Sequence, residues 1–154
     1  MDRLDAVPSR RIVLAAGGIT ALAAAFAPHM LLAPPASVEA ELKKLLGDRK
    51  PLEGKIKLDL PSIAENGLVV PLNFDVESPM TEADHVKAVH FFAEGNPLPG
   101  VGTFRFTPAS GRASASTRIR LAATQDIICV AEMADGKVHM ARQEVKVTIG
   151  GCGG

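Results

Sequence analysis

The residue most clearly able to carry out chemistry is Cys152, whose thiol is the only reactive group in a segment otherwise made of glycine. Gly150 and Gly151 precede it, and Gly153 and Gly154 follow it. Glycine packs no side chain and loses more backbone freedom on ordering than any other residue, so this segment is predicted to be a flexible arm. Five residues extend at most about 17 Å, which would let the thiol leave the protein surface and enter a narrow pocket on another protein.

A single mobile thiol favours one kind of chemistry. Self-contained dithiol redox chemistry needs a Cys-x-x-Cys pair, and the chain has none. No general base is evident beside Cys152, so a self-sufficient cysteine nucleophile is not indicated and no catalytic residue is predicted. The pattern favours covalent carriage of a substrate on which other enzymes act. The alternative is a frayed terminus with an incidental cysteine.

The second cysteine, Cys129, lies within the apolar and β-branched run Ile127–Ala131. A free cysteine in such a run behaves as a small hydrophobe, so Cys129 is predicted to be buried. The alternative is a disulfide with Cys152, which would require a Cα separation of about 5.5–6 Å and would tie the arm down. Two cysteines exclude a four-cysteine metal site.

The histidines and carboxylates give weaker signals. His85 and His90 are five residues apart and would point to opposite faces of one strand, and His139 is isolated, so all three are predicted to be ordinary surface or packing residues. Glu82 and Asp84 are predicted to lie in a solvated loop, because an acid–base pair needs a cleft that perturbs its pKa values. No glycine-rich loop stands between a strand and a helix, so no dinucleotide or phosphate loop is predicted. Because the histidines do not converge, no metal is predicted either, and no other cofactor is expected.

The first residues of the chain have the pattern of an export signal. Arg10 and Arg11 stand directly before the uncharged, alanine- and glycine-rich stretch Ile12–Met30. This is typical of a bacterial twin-arginine signal, with cleavage expected between Ala27 and Ala36. A transmembrane anchor is the alternative, since the stretch is long enough to span a bilayer. Cleavage would leave the mature protein in the periplasm, free of the membrane, where thiols are oxidised.

The amino-acid composition excludes two classes of protein. Lys and Arg total 17, as do Asp and Glu, so there is no basic field for nucleic acid. The hydrophobic fraction is 47%, which is too high for a disordered protein.

The elements that must position Cys152 follow from periodicity. Val38–Leu46 has a short helical pattern that stops near Gly47, and Asn66–Gly67 is a turn signal. Seven later segments have strand-like patterns: Lys55–Leu60, Leu68–Val76, Val86–Ala93, Thr103–Thr107, Arg112–Leu121, Asp126–Met133 and Val138–Ile149. Closely spaced strands without a long intervening helix favour an all-β, immunoglobulin-like sandwich. The predicted organisation is an export and cleavage region over residues 1–36, a sandwich over 37–149, and the arm over 150–154.

The glycine–cysteine segment after Val147–Ile149 resembles that of the SoxY family, the sulfur-carrier subunits of the bacterial thiosulfate-oxidising system. The twin-arginine signal is also similar. Further similar segments are Gly54–Leu58, Ile63–Gly67, Ser78–Val86 and Ala131–Gly136. Cys129 departs from the family pattern, in which a small aliphatic residue is usual.

The resemblance implies more than the residue pattern does. It implies an immunoglobulin-like fold and a heterodimer with a small β-sandwich partner, SoxZ. It also implies that haem enzymes conjugate thiosulfate to Cys152, that a hydrolase releases sulfate, and that a sulfane dehydrogenase oxidises the remaining sulfur. Carried over to this chain, Cys152 is the attachment site and Gly150, Gly151, Gly153 and Gly154 are the hinge of a swinging arm.

Three other functions are compatible with parts of the pattern. One is a carrier that uses Gly153–Gly154 as a thiocarboxylate, as ubiquitin-like sulfur carriers do, although those have a central helix and need cytoplasmic ATP. Another is an exported structural or adhesive sandwich with an incidental tail. The third is a periplasmic metal-binding module, which the scattered histidines disfavour.

Overall fold

The computed structural model describes residues 37–149; the predicted export region and the glycine–cysteine segment lie outside the described residues. Helix α1 (Val38–Leu46) comes first. Eight strands follow: β1 (Ile56–Asp59), β2 (Ile63–Ala64), β3 (Val70–Val76), β4 (Val86–Ala93), β5 (Gly100–Arg105), β6 (Ala113–Ile119), β7 (Gln125–Met133) and β8 (Val138–Val147). A single 3₁₀ turn, Pro108–Ser110, separates β5 from β6. In this part of the chain, no helix is long and apolar enough to cross a membrane.

The strands form two sheets that pack face to face. The first sheet has the order β1-β3-β6, and the second has the order β2-β8-β7-β4-β5. All named pairings are antiparallel except that of β2 with β8, which is parallel. The predicted all-β sandwich is therefore confirmed. The structure adds a strand that periodicity did not assign, the two-residue β2, because so short a strand has no measurable alternation.

Alternating residues of the two sheets build the main core. On β3, Val70, Leu72, Phe74 and Val76 are all buried, while the residues between them face outward. The ring of Phe74 lies 5.0 Å from that of Phe91 and 5.1 Å from that of Phe104, measured between ring centroids. Aromatic pairs at this spacing add to the stabilisation that comes from burying apolar area.

Helix α1 covers part of the outer face of the five-stranded sheet. Its first residue, Val38, forms a second buried cluster with residues of the sheet, namely Phe92, Ile128, Val130 and Val138, and Leu42, Leu45 and Leu46 of the helix pack against this cluster. The Ser37 side chain caps the start of the helix by accepting a hydrogen bond from the Ala40 N–H. The helix ends at Gly47, as the sequence pattern predicted; Gly47 has a left-handed φ of 56° and donates its N–H to the Lys43 carbonyl.

Candidate functional site

The backbone that leads to Cys152 is held firmly as far as Ile149. At the end of β8, the Thr148 N–H donates to the Ala64 carbonyl at 3.1 Å, and the Gly67 N–H donates to the Ile149 carbonyl at 2.8 Å. The Thr148 hydroxyl also donates to the Glu65 carbonyl at 2.8 Å. The segment around β2 therefore provides a row of hydrogen-bonding partners along the last described residues.

The opposite side of this strand end is held by a second segment. Thr124 Oγ1 accepts a hydrogen bond from the Val147 N–H at 2.9 Å. The Leu121 N–H donates to the Gly67 carbonyl at 2.8 Å, so Gly67 connects Leu121 to Ile149. We call this hydrogen-bonded group, formed by residues 63–67, 121–124 and 146–149, the arm root.

A side-chain hydrogen bond stabilises the turn that presents Gly67. Asn66 Oδ1 accepts from the Leu68 N–H at 2.8 Å, which closes a local turn of the kind that asparagine favours. The predicted turn at Asn66–Gly67 is thus confirmed. Periodicity could not show that this turn binds Ile149, because the two segments are far apart in the chain.

Cys152 and the four glycines around it lie outside the described residues, so their role stays a prediction. Their starting point is known, however. Two residues, Gly150 and Gly151, separate Ile149 from Cys152, and the three extended steps between the two Cα atoms span at most about 10 Å. The Cα of Cys152 therefore lies within about 10 Å of the Ile149 Cα, which belongs to the arm root.

Cys129 is buried in the main core, as predicted. It is a free cysteine with no measurable exposure, and it lies opposite Phe91 on β4 and Ala141 on β8. Burial raises the pKa of its thiol to about 12. Because the thiolate is the nucleophile, a buried thiol of this kind is unreactive at neutral pH.

His90 belongs to a polar network on the outer face of the five-stranded sheet. Its Nδ1 lies 3.0 Å from Thr103 Oγ1 and its Nε2 lies 3.4 Å from Glu132 Oε2. Arg49 binds the other Glu132 oxygen at 2.7 Å, and its Nε also donates to the Leu46 carbonyl at the end of α1. Partial burial raises the pKa of Glu132, but the hydrogen bonds and charges of Arg49 and His90 outweigh it, and the net direction is downward. The network ties the end of the helix to the sheet.

The other predicted histidine and carboxylate positions are also structural. His85 Nδ1 lies 3.0 Å from the Thr81 carbonyl, and His139 is buried with its Nδ1 unpartnered. Glu82 is exposed in the loop before β4, and the Asp84 carbonyl accepts from the Thr81 N–H. Between residues 37 and 149, no group of three or more His, Cys, Asp or Glu side chains could hold a metal ion. The structure does not bring these residues together into a catalytic or metal-binding site.

Comparisons with known proteins agree with the geometry. The family model for the sulfur oxidation protein SoxY matches residues 42–152. The solved structure of the sulfur carrier protein SoxY from Chlorobium limicola f thiosulfatophilum is similar, with 29% identity, a TM-score of 0.61, and coverage of 73% of this chain and 97% of that one. No curated protein matches significantly.

More distant structural matches share the fold alone. A superoxide reductase (neelaredoxin) from Ignicoccus hospitalis has 18% identity and a TM-score of 0.54, covering 61% of this chain and 80% of that one. A putative superoxide reductase from Thermotoga maritima has 18% identity and a TM-score of 0.51, with 60% and 84% covered. At this identity the similarity extends to the sandwich and not to its chemistry.

Proposed function

The chain belongs to the SoxY family of sulfur oxidation proteins, and on this premise we propose that it carries thiosulfate-derived sulfur covalently on the thiol of Cys152. The observation that carries the proposal is the extent of the family match, which runs from residue 42 to Cys152 itself. The match thus includes the hydrogen-bonded strand end, the first glycine pair and the cysteine.

The contrast between the two cysteines supports Cys152 as the attachment site. Cys129 is fully buried and its thiol pKa is raised to about 12, so it offers no accessible thiolate. Cys152 follows a hydrogen-bonded strand end and has glycine on both sides. A fixed root and a pliable segment together suit a thiol that must enter the active sites of other proteins.

The protein would then be a substrate of its partner enzymes and not itself a catalyst. Conjugation joins the Cys152 sulfur to the outer sulfur of thiosulfate; the thiol proton is released, and two electrons pass one at a time through the haem iron of the conjugating enzyme to an external electron acceptor. Hydrolysis of the resulting S–SO₃ bond by water releases sulfate and leaves a persulfide on Cys152. A sulfane dehydrogenase would oxidise the sulfur that remains. Since only glycines adjoin Cys152, the group that generates its thiolate has to belong to the partner enzyme.

The same proposal covers assembly and location. The protein would form a heterodimer with a SoxZ-like β-sandwich subunit and would meet the three enzymes only transiently, because a flexible arm pays an ordering cost in each encounter. Export by the twin-arginine pathway, directed by Arg10 and Arg11, would place it in the periplasm. Two features support this location: the twin-arginine pattern at the start of the chain and the proposed use of the Cys152 thiol as a carrier.

Intact-mass spectrometry tests the proposal. The purified protein is incubated with thiosulfate and the haem-containing conjugating enzyme, and the adduct is located by peptide mapping. We expect a thiosulfate-derived adduct on Cys152 that a thiol reductant removes. An adduct on Gly154, or no adduct on the wild-type protein, would contradict carriage by the thiol.

A further inference from the structure

Large apolar side chains are concentrated on the surface around the arm root. Ile63, Val69 and Ile149 are 58%, 58% and 68% exposed, and Leu68 is 46% exposed. The described chain has six exposed large hydrophobic residues, so these four are most of them; the others are Leu52 and Leu98. We call Ile63, Leu68, Val69 and Ile149 the arm-root patch.

Backbone hydrogen bonds bring these four residues to one place. Ile63 pairs with Lys146 in the parallel ladder between β2 and β8, three residues before Ile149. The Gly67 N–H donates to the Ile149 carbonyl at 2.8 Å, and Leu68 and Val69 follow Gly67 directly. The patch therefore surrounds the point from which the chain continues towards Cys152.

The exposure follows from the strand pattern. On β2, Ala64 points into the main core, so its neighbour Ile63 must point outward. Val70 is fully buried at the start of β3, which leaves Leu68 and Val69 on the approach to that strand. Within residues 37–149, these side chains keep about half or more of their surface exposed. A contiguous exposed apolar surface on a soluble domain marks an interaction site more often than isolated apolar residues do.

The short reach of the chain identifies what covers the patch. Cys152 is three residues beyond Ile149, so its Cα lies within about 10 Å of the Ile149 Cα in any conformation. An enzyme that receives the Cys152 thiol in its active site must bring the entrance of that site equally close to Ile149. The protein surface around the entrance then lies over Ile63, Leu68 and Val69.

We propose that the arm-root patch is the docking surface for the enzymes that act on Cys152, and that these enzymes present an apolar rim around a narrow active-site entrance. This inference rests on the proposed carrier function. The arm supplies reach, and the patch supplies a recognition surface that every partner enzyme meets in the same orientation. A contact limited to four side chains belongs with transient complexes, which bury less than about 1,200 Å² in total. Such a contact releases the carrier after each step.

A matched pair of leucines allows a controlled test. Leu68 in the patch is 46% exposed, and Leu52 is 44% exposed but lies beside His139 near the other end of β8. His139 and Lys146 are seven residues apart on that strand, a distance of about 23 Å. The test variant is Leu68→Gln combined with Val69→Thr, which keeps the β-branched shape at position 69. The control is Leu52→Gln.

The measurement is steady-state conjugation of thiosulfate to the full-length protein, with its SoxZ-like subunit bound, by the haem-containing conjugating enzyme. We expect the KM for the carrier to rise about tenfold in the patch variant, equivalent to about 1.4 kcal/mol, with kcat unchanged. The Leu52→Gln control should keep the wild-type KM. Alkylation of Cys152 by a small maleimide should proceed at the same rate in all three proteins, because no docking is involved.

The possible failures are distinguishable. If the wild-type protein is not conjugated at all, the carrier function itself fails. If the wild type is conjugated and the patch variant has an unchanged KM, the docking surface is wrong while the carrier function stands. If the patch variant separates from its SoxZ-like subunit on gel filtration, the patch belongs to that stable interface and the proposal is overturned. A slower maleimide reaction in the patch variant would also overturn it, because the arm itself would have changed.

Discussion

The N–H of Gly67 donates a 2.8 Å hydrogen bond to the carbonyl of Ile149, and this bond joins the turn after β2 to the backbone that leads to Cys152. A thiol on a flexible segment can be positioned only if the backbone before that segment is fixed. The bond fixes the position of the Ile149 carbonyl, which belongs to the last described residue before the glycine–cysteine segment.

Loosening the Asn66 turn should loosen this bond without unfolding the sandwich. Asn66→Ala removes the acceptor of the Leu68 N–H, and we expect a loss of about 0.5–1.5 kcal/mol for one hydrogen bond. Hydrogen exchange of the Gly67 and Thr148 amides should become faster while core amides such as that of Val130 are unchanged. Asn66→Asp is the control, since a carboxylate can accept the same bond. Equal exchange rates in Asn66→Ala and wild type would show that the turn does not hold the arm root.

The Arg49–Glu132 ion pair should contribute to stability in a pH-dependent way. The pKa of Glu132 is lowered in the folded protein, so its contribution is present above the unfolded-state pKa of about 4.3 and is lost as the pH falls through the folded pKa. Glu132→Gln should cost about 1 kcal/mol at pH 7, a value discounted for solvent screening, and should converge on the wild type in acid. Urea unfolding at a series of pH values measures this.

A second ion pair of the same length serves as the control for Glu132. Lys57 and Glu77 also approach to 2.7 Å, but their side chains are 72% and 58% exposed. Water screens such a pair, so Glu77→Gln should change the unfolding free energy much less than Glu132→Gln does. Equal effects of the two substitutions would mean that the Glu132 network contributes nothing beyond an ordinary surface charge pair.

Local sequence patterns were sufficient to predict the helix and the strands in which apolar residues recur at regular intervals. Strand β6 lies within the predicted segment Arg112–Leu121, with Ala113 and Ile119 buried and Arg118 exposed, and helix α1 has the predicted bounds. The continuous apolar run around Cys129 predicted burial correctly. It also carried an unused signal: a strand that is apolar on both faces needs a second layer, and α1 supplies that layer over Ile128.

The arm root could not be predicted in the same way. Its hydrogen bonds connect residues far apart in the chain, as between Thr148 and Glu65, which are 83 positions apart. Ile63 and Ala64 form a strand only because the edge of β8 is available to them, and two residues have no period of their own. Tertiary pairing, not local propensity, defines the site from which Cys152 extends.

Alkaline pH should destabilise the protein through Cys129. The pKa of its thiol is raised to about 12 by burial, whereas an unfolded thiol titrates near pH 8.5, so the unfolded state loses its proton first. The contribution is complete below about pH 8.5 and is lost as the pH rises towards 12, with a slope of up to about 1.4 kcal/mol per pH unit. In Cys129→Ala the stability curve should be flatter over this range. Identical slopes for the two proteins would show that Cys129 is not buried as a neutral thiol.

The export prediction concerns Arg10 and Arg11, which lie outside the described residues. Replacing both with Lys keeps the charge but removes the paired guanidinium groups that define a twin-arginine signal. We expect the precursor to stay in the cytoplasm of the source bacterium, as measured by immunoblotting of cell fractions. A single substitution at Arg3, outside the pair, is the control. Normal periplasmic accumulation of the double variant would contradict this export route.

The two cysteines should separate function from stability. Cys152→Ser removes no contact of the described core, so its effect on the unfolding free energy should stay within about 0.5 kcal/mol, while the thiosulfate adduct is lost. Cys129→Ser places a hydroxyl among apolar side chains, including that of Phe91 on the neighbouring strand, and should cost about 1–3 kcal/mol if the hydroxyl finds no partner. Below its lowered melting temperature, that variant should still be loaded at Cys152. Thermal melts and intact-mass measurements on both proteins test the pair together. An adduct that persists in Cys152→Ser would place the carrier site elsewhere, because the held root beside Ile149 would then lead to no sulfur attachment.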